Sequence, residues 1–423
     1  MPTKTLYVGI DVSLKSNQVC SINFNQDIFF NESFENTPSG TEKLILKLLD
    51  IFNTHEDLNK LLVCMESTNV YHIHTSSLLA NDSRLANYGV KVYVENAKSI
   101  ENYKKTFVDR EKSDPEDAFL CADYVRIGKC KNSHPINGYQ KIALQRLTRQ
   151  RKHVAEQLAK EKQYLSTNLY LKFSALKVNP SESPFSNMFS KTASSMLIDF
   201  LTTEEIVEAS LEDLISKIIE VSHNRFDDDE EVAKLLKKAA RDSYRLDKVS
   251  SDSVSMSMAS SFRLIQFYET ELRNLDKEIL RLIEGSNNVY LTILTSIKGI
   301  GLVYAAGIIA EIDNISYFIN HNKLAAYCGL RWKKNQSGEK DSKHTKQTKT
   351  GNSYLRYYIV EATGSCLRYN DELNAFYHKK YKEVKINPHK RALVLTARKF
   401  VRLIYGLLAH SKLFDPTYQP SIS

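Results

Sequence analysis

No run of 18 apolar residues occurs in the 423-residue chain, which argues against a membrane-spanning helix. The opening MPTKTLYVGIDVS passes directly into strand-like sequence without the apolar core of a signal peptide, so secretion is not expected. Cysteine is sparse. The six residues Cys20, Cys64, Cys121, Cys130, Cys328 and Cys366 form no C-x-x-C pair and no Cys/His cluster with zinc spacing. Reduced, mostly buried thiols in a cytoplasmic protein are the simplest account. There is no large charge of one sign either, because 58 Lys and Arg are offset by 50 Asp and Glu. Hydrophobic residues make up 42%, enough for packed cores, so wholesale disorder is excluded.

The charges that are present lie in blocks. Residues 139–177 carry nine bases against two acids, 331–356 eight against two, and 379–402 nine against one. Residues 199–231 reverse this, with twelve acids against two bases. Separated basic blocks on a nearly balanced chain fit contact with a polyanion at defined surfaces; solvated helix faces are the plain alternative.

Strands are expected at 5–12, 17–24, 27–34, 60–66 and 91–96, with a break at Pro38-Ser39-Gly40. Helices are expected at 41–53, at 71–88, and from Asp114-Pro115 onward. The order β-β-β-α-β-α-β-α implies a mixed sheet with helices packed on it, the order of an α/β RNase H-like fold. Residues 139–175 and 252–285 then show matched 3-4 apolar spacing over long stretches. They read as an antiparallel long helical coiled coil, or as ordinary long bundle helices. A helical insertion, 178–250, lies between them. From 290 the pattern is that of a mainly α C-terminal domain with a basic, glycine-containing loop at 331–351. The expected domains are 1–135, 136–287 and 288–423.

Four carboxylates carry the first chemical reading. Asp11 ends the first strand, Glu66 ends the apolar run LLVCM, and Asp114 and Asp117 share one face of a helix start. Two-metal phosphodiester chemistry needs such a set, because Mg²⁺ takes hard oxygen ligands and two ions clamp the attacking and leaving oxygens. Each acid also has a plain reading: Asp114-Pro115-Glu116-Asp117 as a helix cap, Asp11 as a turn acid, Glu66 as a helix-dipole partner. In the last domain, Ile297-Lys298-Gly299-Ile300-Gly301 reads as a turn that opens a helix. Its glycines either let the backbone approach a phosphate or serve helix packing. Ser337-Gly338 lies in the basic segment GLRWKKNQSGEK, with no Ser-His-Asp pattern around it.

GIDVSLKSN (9–17), MESTNVY (65–71) and KSDPEDA (112–118) resemble the DEDD motifs of the bacterial insertion-sequence transposases of family one-ten, whose first domain is RuvC-like. SIKGIG (296–301), AAYCGL (325–330), QSGEK (336–340) and KTGNSYLR (349–356) resemble the C-terminal transposase domain of that family. Asn69 stands where the family usually has glycine. The resemblance implies a DNA recombinase that moves its own element. It implies Asp11, Glu66, Asp114 and Asp117 as Mg²⁺ ligands and Ser337 as nucleophile. Nucleic-acid contacts are expected at Lys298, Gly299, Gly301, Lys333, Lys334 and Arg356. The implied partners are donor and target DNA, a non-coding bridge RNA, and further copies of the chain in a dimer or tetramer with a shared active site. The expected location is the bacterial cytoplasm, associated with the nucleoid, with no membrane contact. A RuvC-like structure-specific nuclease using water and a non-enzymatic nucleic-acid scaffold are the competing readings.

Overall fold

The computed structural model describes residues 4–67, 69–107, 113–130, 139–176, 183–185, 187–198, 202–223, 226–285, 288–332, 336–337, 340–341, 347–348, 350–383 and 385–416. The chain divides into two compact units, 1–142 and 143–423.

The first unit is built on a five-stranded sheet. Its strands are β1 (Thr5–Val12), β2 (Ser16–Ile22), β3 (Ile28–Glu35), β4 (Lys60–Glu66) and β5 (Lys91–Glu95). They lie in the order β3-β2-β1-β4-β5, with β1, β2 and β3 an antiparallel meander and β1, β4 and β5 parallel. All five fall close to the strands expected from the sequence, and the mixed sheet fits the RNase H-like order. Helices α1 (Pro38–Thr54), α2 (His72–Asn81), α3 (Ser83–Ala86), α4 (Ala97–Lys104) and α5 (Asp114–Arg126) complete the unit.

Two expectations change here. Pro38-Ser39-Gly40 does not break the chain but forms the first turn of α1, because Thr37 caps the helix by accepting from Gly40 N and Pro38 sits where no N–H is needed. The helix expected at 71–88 is two, because the Asp82 carboxylate accepts from Arg84 N and Leu85 N and starts α3 afresh.

Strand period two sorts the sheet into two faces. Leu6, Val8, Ile10 and Val12 pack with Leu61, Val63 and Met65 against Leu44 and Leu48 of α1. Tyr7, Cys20, Ile22 and Cys64 pack on the other face against Ala118, Cys121, Ala122 and Val125 of α5. Gly9 faces α5 as well. A Cβ on Gly9 would stand 2.1 Å from Ala118 O and 2.1 Å from Ala122 N, so the helix backbone rests directly on the strand.

α5 is also anchored by a buried charge. Asp123 accepts from Gln26 Nε2 at 2.7 Å, from Arg126 Nε at 2.7 Å and from the Tyr103 hydroxyl. Burial alone would lift this carboxyl, but the hydrogen bonds outweigh it and hold Asp123 below the ordinary carboxylate range. Asp123→Asn is expected to destabilise the unit by about 3 kcal/mol, since a buried pair that loses one partner leaves the other uncompensated. A depressed folded-state pKa gives stability that is complete above the unfolded value and lost as pH falls through the folded one. Denaturant titrations between about pH 5 and pH 2 should therefore show the wild type losing an increment that Asp123→Asn lacks.

The second unit contains most of two long helices, α6 (Tyr139–Lys172) and α11 (Lys248–Glu284). Between them in sequence come α7 (Lys191–Ile198), α8 (Thr203–Glu208), α9 (Leu211–Ser222) and α10 (Asp229–Asp242). Arg151 meets Asp276, Lys162 Nζ lies 2.7 Å from Glu269 Oε1, and Asn168 Nδ2 donates to Ser257 Oγ at 3.1 Å. Partners that descend along α11 as they ascend along α6 mean that the helices run antiparallel. Leu165 and Leu169 of α6, and Phe173 just past its end, share a core with Met258 and Phe262 of α11 and with Met196, Ile206, Leu214 and Leu236 of the four shorter helices. The insertion thus packs where α6 ends and α11 begins.

The remaining helices are α12 (Val289–Thr295), α13 (Leu302–Ile312), α14 (His321–Tyr327), α15 (Ser353–Cys366), α16 (Asp371–Glu383) and α17 (Pro388–Ala409). Their core includes Ile293 and Leu294 of α12, Tyr358 of α15, and Phe400 and Ile404 of α17, and it takes in Ile279 and Ile283 from the end of α11. No described helix is long and apolar enough to cross a membrane.

Candidate active site

Asp11 and Glu66 are brought together by strand register. β1 and β4 are parallel neighbours with Ile10 opposite Met65, so the next residue of each strand is an acid. By strand alternation both fall on the α5 face, at the carboxyl ends of adjacent parallel strands, where open α/β sheets bind ligands. Asp114 and Asp117 lie in the first turn of α5. The N-cap position belongs to Ser113, and the side chain of Asp114 is not the cap that its sequence suggested. Asn31 of β3 donates to Pro115 O at 3.0 Å, which ties this helix start to the sheet.

Asp11 and Glu66 feel the neighbouring acids. Burial pushes the Asp11 carboxyl above the ordinary range; the Lys104 ammonium opposes this, and the charges of Asp117 and Asp114 add to it. Burial likewise raises Glu66, with Lys104 opposing and Asp11 and Asp117 adding. Nothing in the sequence pattern marks Lys104. Its Nζ lies 3.0 Å from Asp117 Oδ2 and 3.7 Å from Glu66 Oε2. Among the described residues no group of three or more His, Cys, Asp and Glu side chains is already arranged to hold a metal ion. The donor chemistry is nevertheless that of a hard divalent cation: oxygen groups only, Asp11, Glu66 and Asp117 partly buried and Asp114 exposed, with a positive charge already drawn in beside Glu66 and Asp117.

Asn69 has φ +47°, in the left-handed region. Asparagine is among the few non-glycine residues that enter this region readily, so it can serve the turn after Glu66 in place of the family's usual glycine.

In the second unit, Gln336–Ser337 pairs antiparallel with Lys340–Asp341, and Ser337 stands opposite Lys340. Trp332 bridges to Gln347 nearby in sequence. The segment expected to be a loop therefore contains short paired backbone. Lys333 and Lys334 lie outside the described residues. Gly299 and Gly301 divide the two readings of their motif. Gly299 has φ +104°, and a Cβ there would meet Cys366 Cα at 2.9 Å, so it is required for packing against α15. Gly301 occupies the N-cap position of α13 with nothing within 4 Å of an added Cβ, leaving room for close approach to the helix start. Lys298 is exposed, with Nζ 5.0 Å from the centre of the Tyr369 ring. Arg356 is half-buried and donates to Cys328 O at 3.0 Å.

KTGNSYLR has a further role that its spacing did not reveal. Asn352 Oδ1 accepts from Tyr354 N and Leu355 N, capping α15, while its Nδ2 donates to Glu311 Oε2 at 2.6 Å. The buried Glu311 also receives both arms of Arg149 from α6, at 2.7 and 2.9 Å. One asparagine thus links the start of α15 to a charge pair between α13 and α6.

Residues 8–174 match the model of a DEDD transposase of the IS110 group, described as a transposase. Residues 291–378 match the model of the transposase IS116/IS110/IS902 family. No curated protein matches the chain. The chain is similar to transposases over two separate stretches, one spanning the sheet with its carboxylates and one spanning the helices around Ser337, and these matches support a DNA transposase of the IS110 kind.

Proposed function

We infer that the protein is a DNA recombinase that mobilises its own insertion sequence, with Ser337 attacking DNA and the carboxylate site assisting. The observation that carries the reading is the pair Asp11 and Glu66 at the ends of adjacent parallel strands, facing the helix that begins with Asp114 and Asp117. These four residues would hold Mg²⁺. Bound there, a divalent ion would supply charge stabilisation at phosphate oxygens and favour ionisation of an attacking hydroxyl.

Ser337 forms the new bond, from Oγ to phosphorus. The phosphorus–oxygen bond to one neighbouring sugar breaks, and that sugar oxygen leaves with a proton as a free hydroxyl. The exchanged ester keeps the bond energy, so a second strand's hydroxyl can displace the serine without an outside energy source. A serine hydroxyl needs activation to attack, and the sequence around Ser337 offers no adjacent base. The carboxylates are the source we assign. With α6 and α11 read as a coiled coil that follows domain 1–135 and precedes domain 288–423 in sequence, a dimer or tetramer would bring Ser337 of one subunit to the carboxylates of another. The basic blocks meet donor and target DNA through phosphates, with Lys298, Gly299, Gly301, Lys333, Lys334 and Arg356 among the contacts, and a bridge RNA does the sequence reading by base pairing. Such a protein works in the cytoplasm, at the nucleoid.

The test is strand cleavage of DNA carrying the element ends, with the purified chain and the RNA encoded beside its gene. Cleavage in Mg²⁺ or Mn²⁺ and none in chelator is expected. Divalent-independent binding without any cleavage would leave only a nucleic-acid scaffold.

A further inference from the structure

Grouped carboxylates repel one another unless a positive charge stands among them. In this pocket the charge comes from the chain itself. Glu66 ends β4 and Asp117 lies in the first turn of α5, yet a single ammonium reaches both, 3.7 Å from one and 3.0 Å from the other. Lys104 is the last residue of α4, and its side chain is only 15% exposed. The helix that delivers it is fixed at several points. Asn96 caps its start by accepting from Lys98 N, Ile100 is buried in the α5-side core, and the adjacent Tyr103 donates its hydroxyl to Asp123. The lysine is therefore held at the pocket, while its flexible four-carbon stem leaves the head free to swing without moving α4.

We propose that Lys104 is a tethered counter-ion, which occupies the carboxylate pocket in the metal-free protein and is displaced when a divalent cation binds Glu66 and Asp117. The proposal rests on the metal reading given above. A divalent ion takes its oxygens at about 2.1 Å, closer than any ammonium hydrogen bond, so the two cations cannot share the same face of these carboxylates. Metal binding then becomes an exchange of one cation for another. The pocket keeps its shape without metal, and the affinity for metal is lower than the four acids alone would give.

Calorimetric titration of the full chain with Mn²⁺ alone, at fixed pH and salt, tests this. The proteins compared are wild type, Lys104→Met, Lys104→Arg and Asp117→Asn. Lys104→Met is expected to bind Mn²⁺ about tenfold more tightly, the scale of losing partly exposed ion pairs to the competitor. Lys104→Arg keeps the charge and should stay close to wild type, and Asp117→Asn should bind more weakly. In chelator, Lys104→Met should melt below wild type, and saturating Mn²⁺ should close the gap. Should Lys104→Met not fold in chelator, Lys104→Gln, which can still donate to Asp117, replaces it with the same tighter binding expected. Unchanged or weaker Mn²⁺ binding by the neutral variant overturns the counter-ion and leaves the metal reading standing. Absence of Mn²⁺ binding in every protein, wild type included, overturns both.

Discussion

Asp11→Ala protein mixed with Ser337→Ala protein is expected to recover part of a strand-exchange activity that each lacks alone. In the proposed mechanism each substitution removes a component the chemistry cannot replace, so each alone should fall by on the order of 10³-fold or more, as loss of a nucleophile or its activating group does elsewhere. The carboxylates belong to the unit 1–142 and Ser337 to the unit 143–423. If subunits share sites, a mixed assembly contains one site with both parts intact. For random dimers about half are mixed and half of the sites in those are whole, so recovery should approach about a quarter of wild type. Ser337→Ala should bind DNA and RNA almost as wild type does, because one hydroxyl adds little to a phosphate-dominated interface. No recovery at any mixing ratio would mean that each site is built within one subunit.

Gly9→Ala should be among the most damaging single-methyl changes in the first unit. The added carbon would sit 2.1 Å from two backbone atoms of α5, and backbone cannot rotate aside as a side chain can. The helix must lift from the sheet, carrying Asp114 and Asp117 away from Asp11 and Glu66. A loss of about 3 kcal/mol or more is expected, at the upper end of overpacking effects. Gly406→Ala makes the matched control. Gly406 lies inside α17 with nothing within 4 Å of an added Cβ, so alanine there should stabilise by about 0.5–1 kcal/mol through helix propensity. Thermal melts of the two variants beside wild type decide the matter. A Gly9→Ala protein that melts with wild type and keeps its cleavage activity would show that α5 need not touch the strand.

The parts of the fold written in local pattern were readable, and those written in contacts were not. TLYVGIDV and KLLVCME announced β1 and β4, and their ends gave Asp11 and Glu66. The long 3-4 spacing of 139–175 and 252–285 gave α6 and α11 to within a few residues at each end. Pro38 misled because proline ends strands and starts helices equally well, and only the Thr37 cap decides which. Asp82 sat inside an apolar periodicity that gave no hint of a new helix start. Lys104, one of two lysines in an ordinary helix, acquires its role only when α4 is laid beside α5. The same holds for Gly9, whose need arises from a helix more than a hundred residues further on. Asp123 carried a signal, an acid on the apolar face of α5 between Ala122 and Val125, since a buried carboxylate needs partners. Asn352 could have been read as a helix cap from its place before SYLR, but its bond to Glu311 could not.

The most direct measurement is the chemical identity of the protein–DNA link. Cleavage of a suicide DNA substrate in Mg²⁺, followed by digestion and mass spectrometry, should yield one nucleotide-bearing peptide, with the phosphate on Ser337. The adduct should vanish in Ser337→Ala and in Asp11→Ala alike. Cleaved DNA with free ends and no protein attached, from wild type and Ser337→Ala at equal rates, would contradict the serine mechanism and leave a nuclease that uses water.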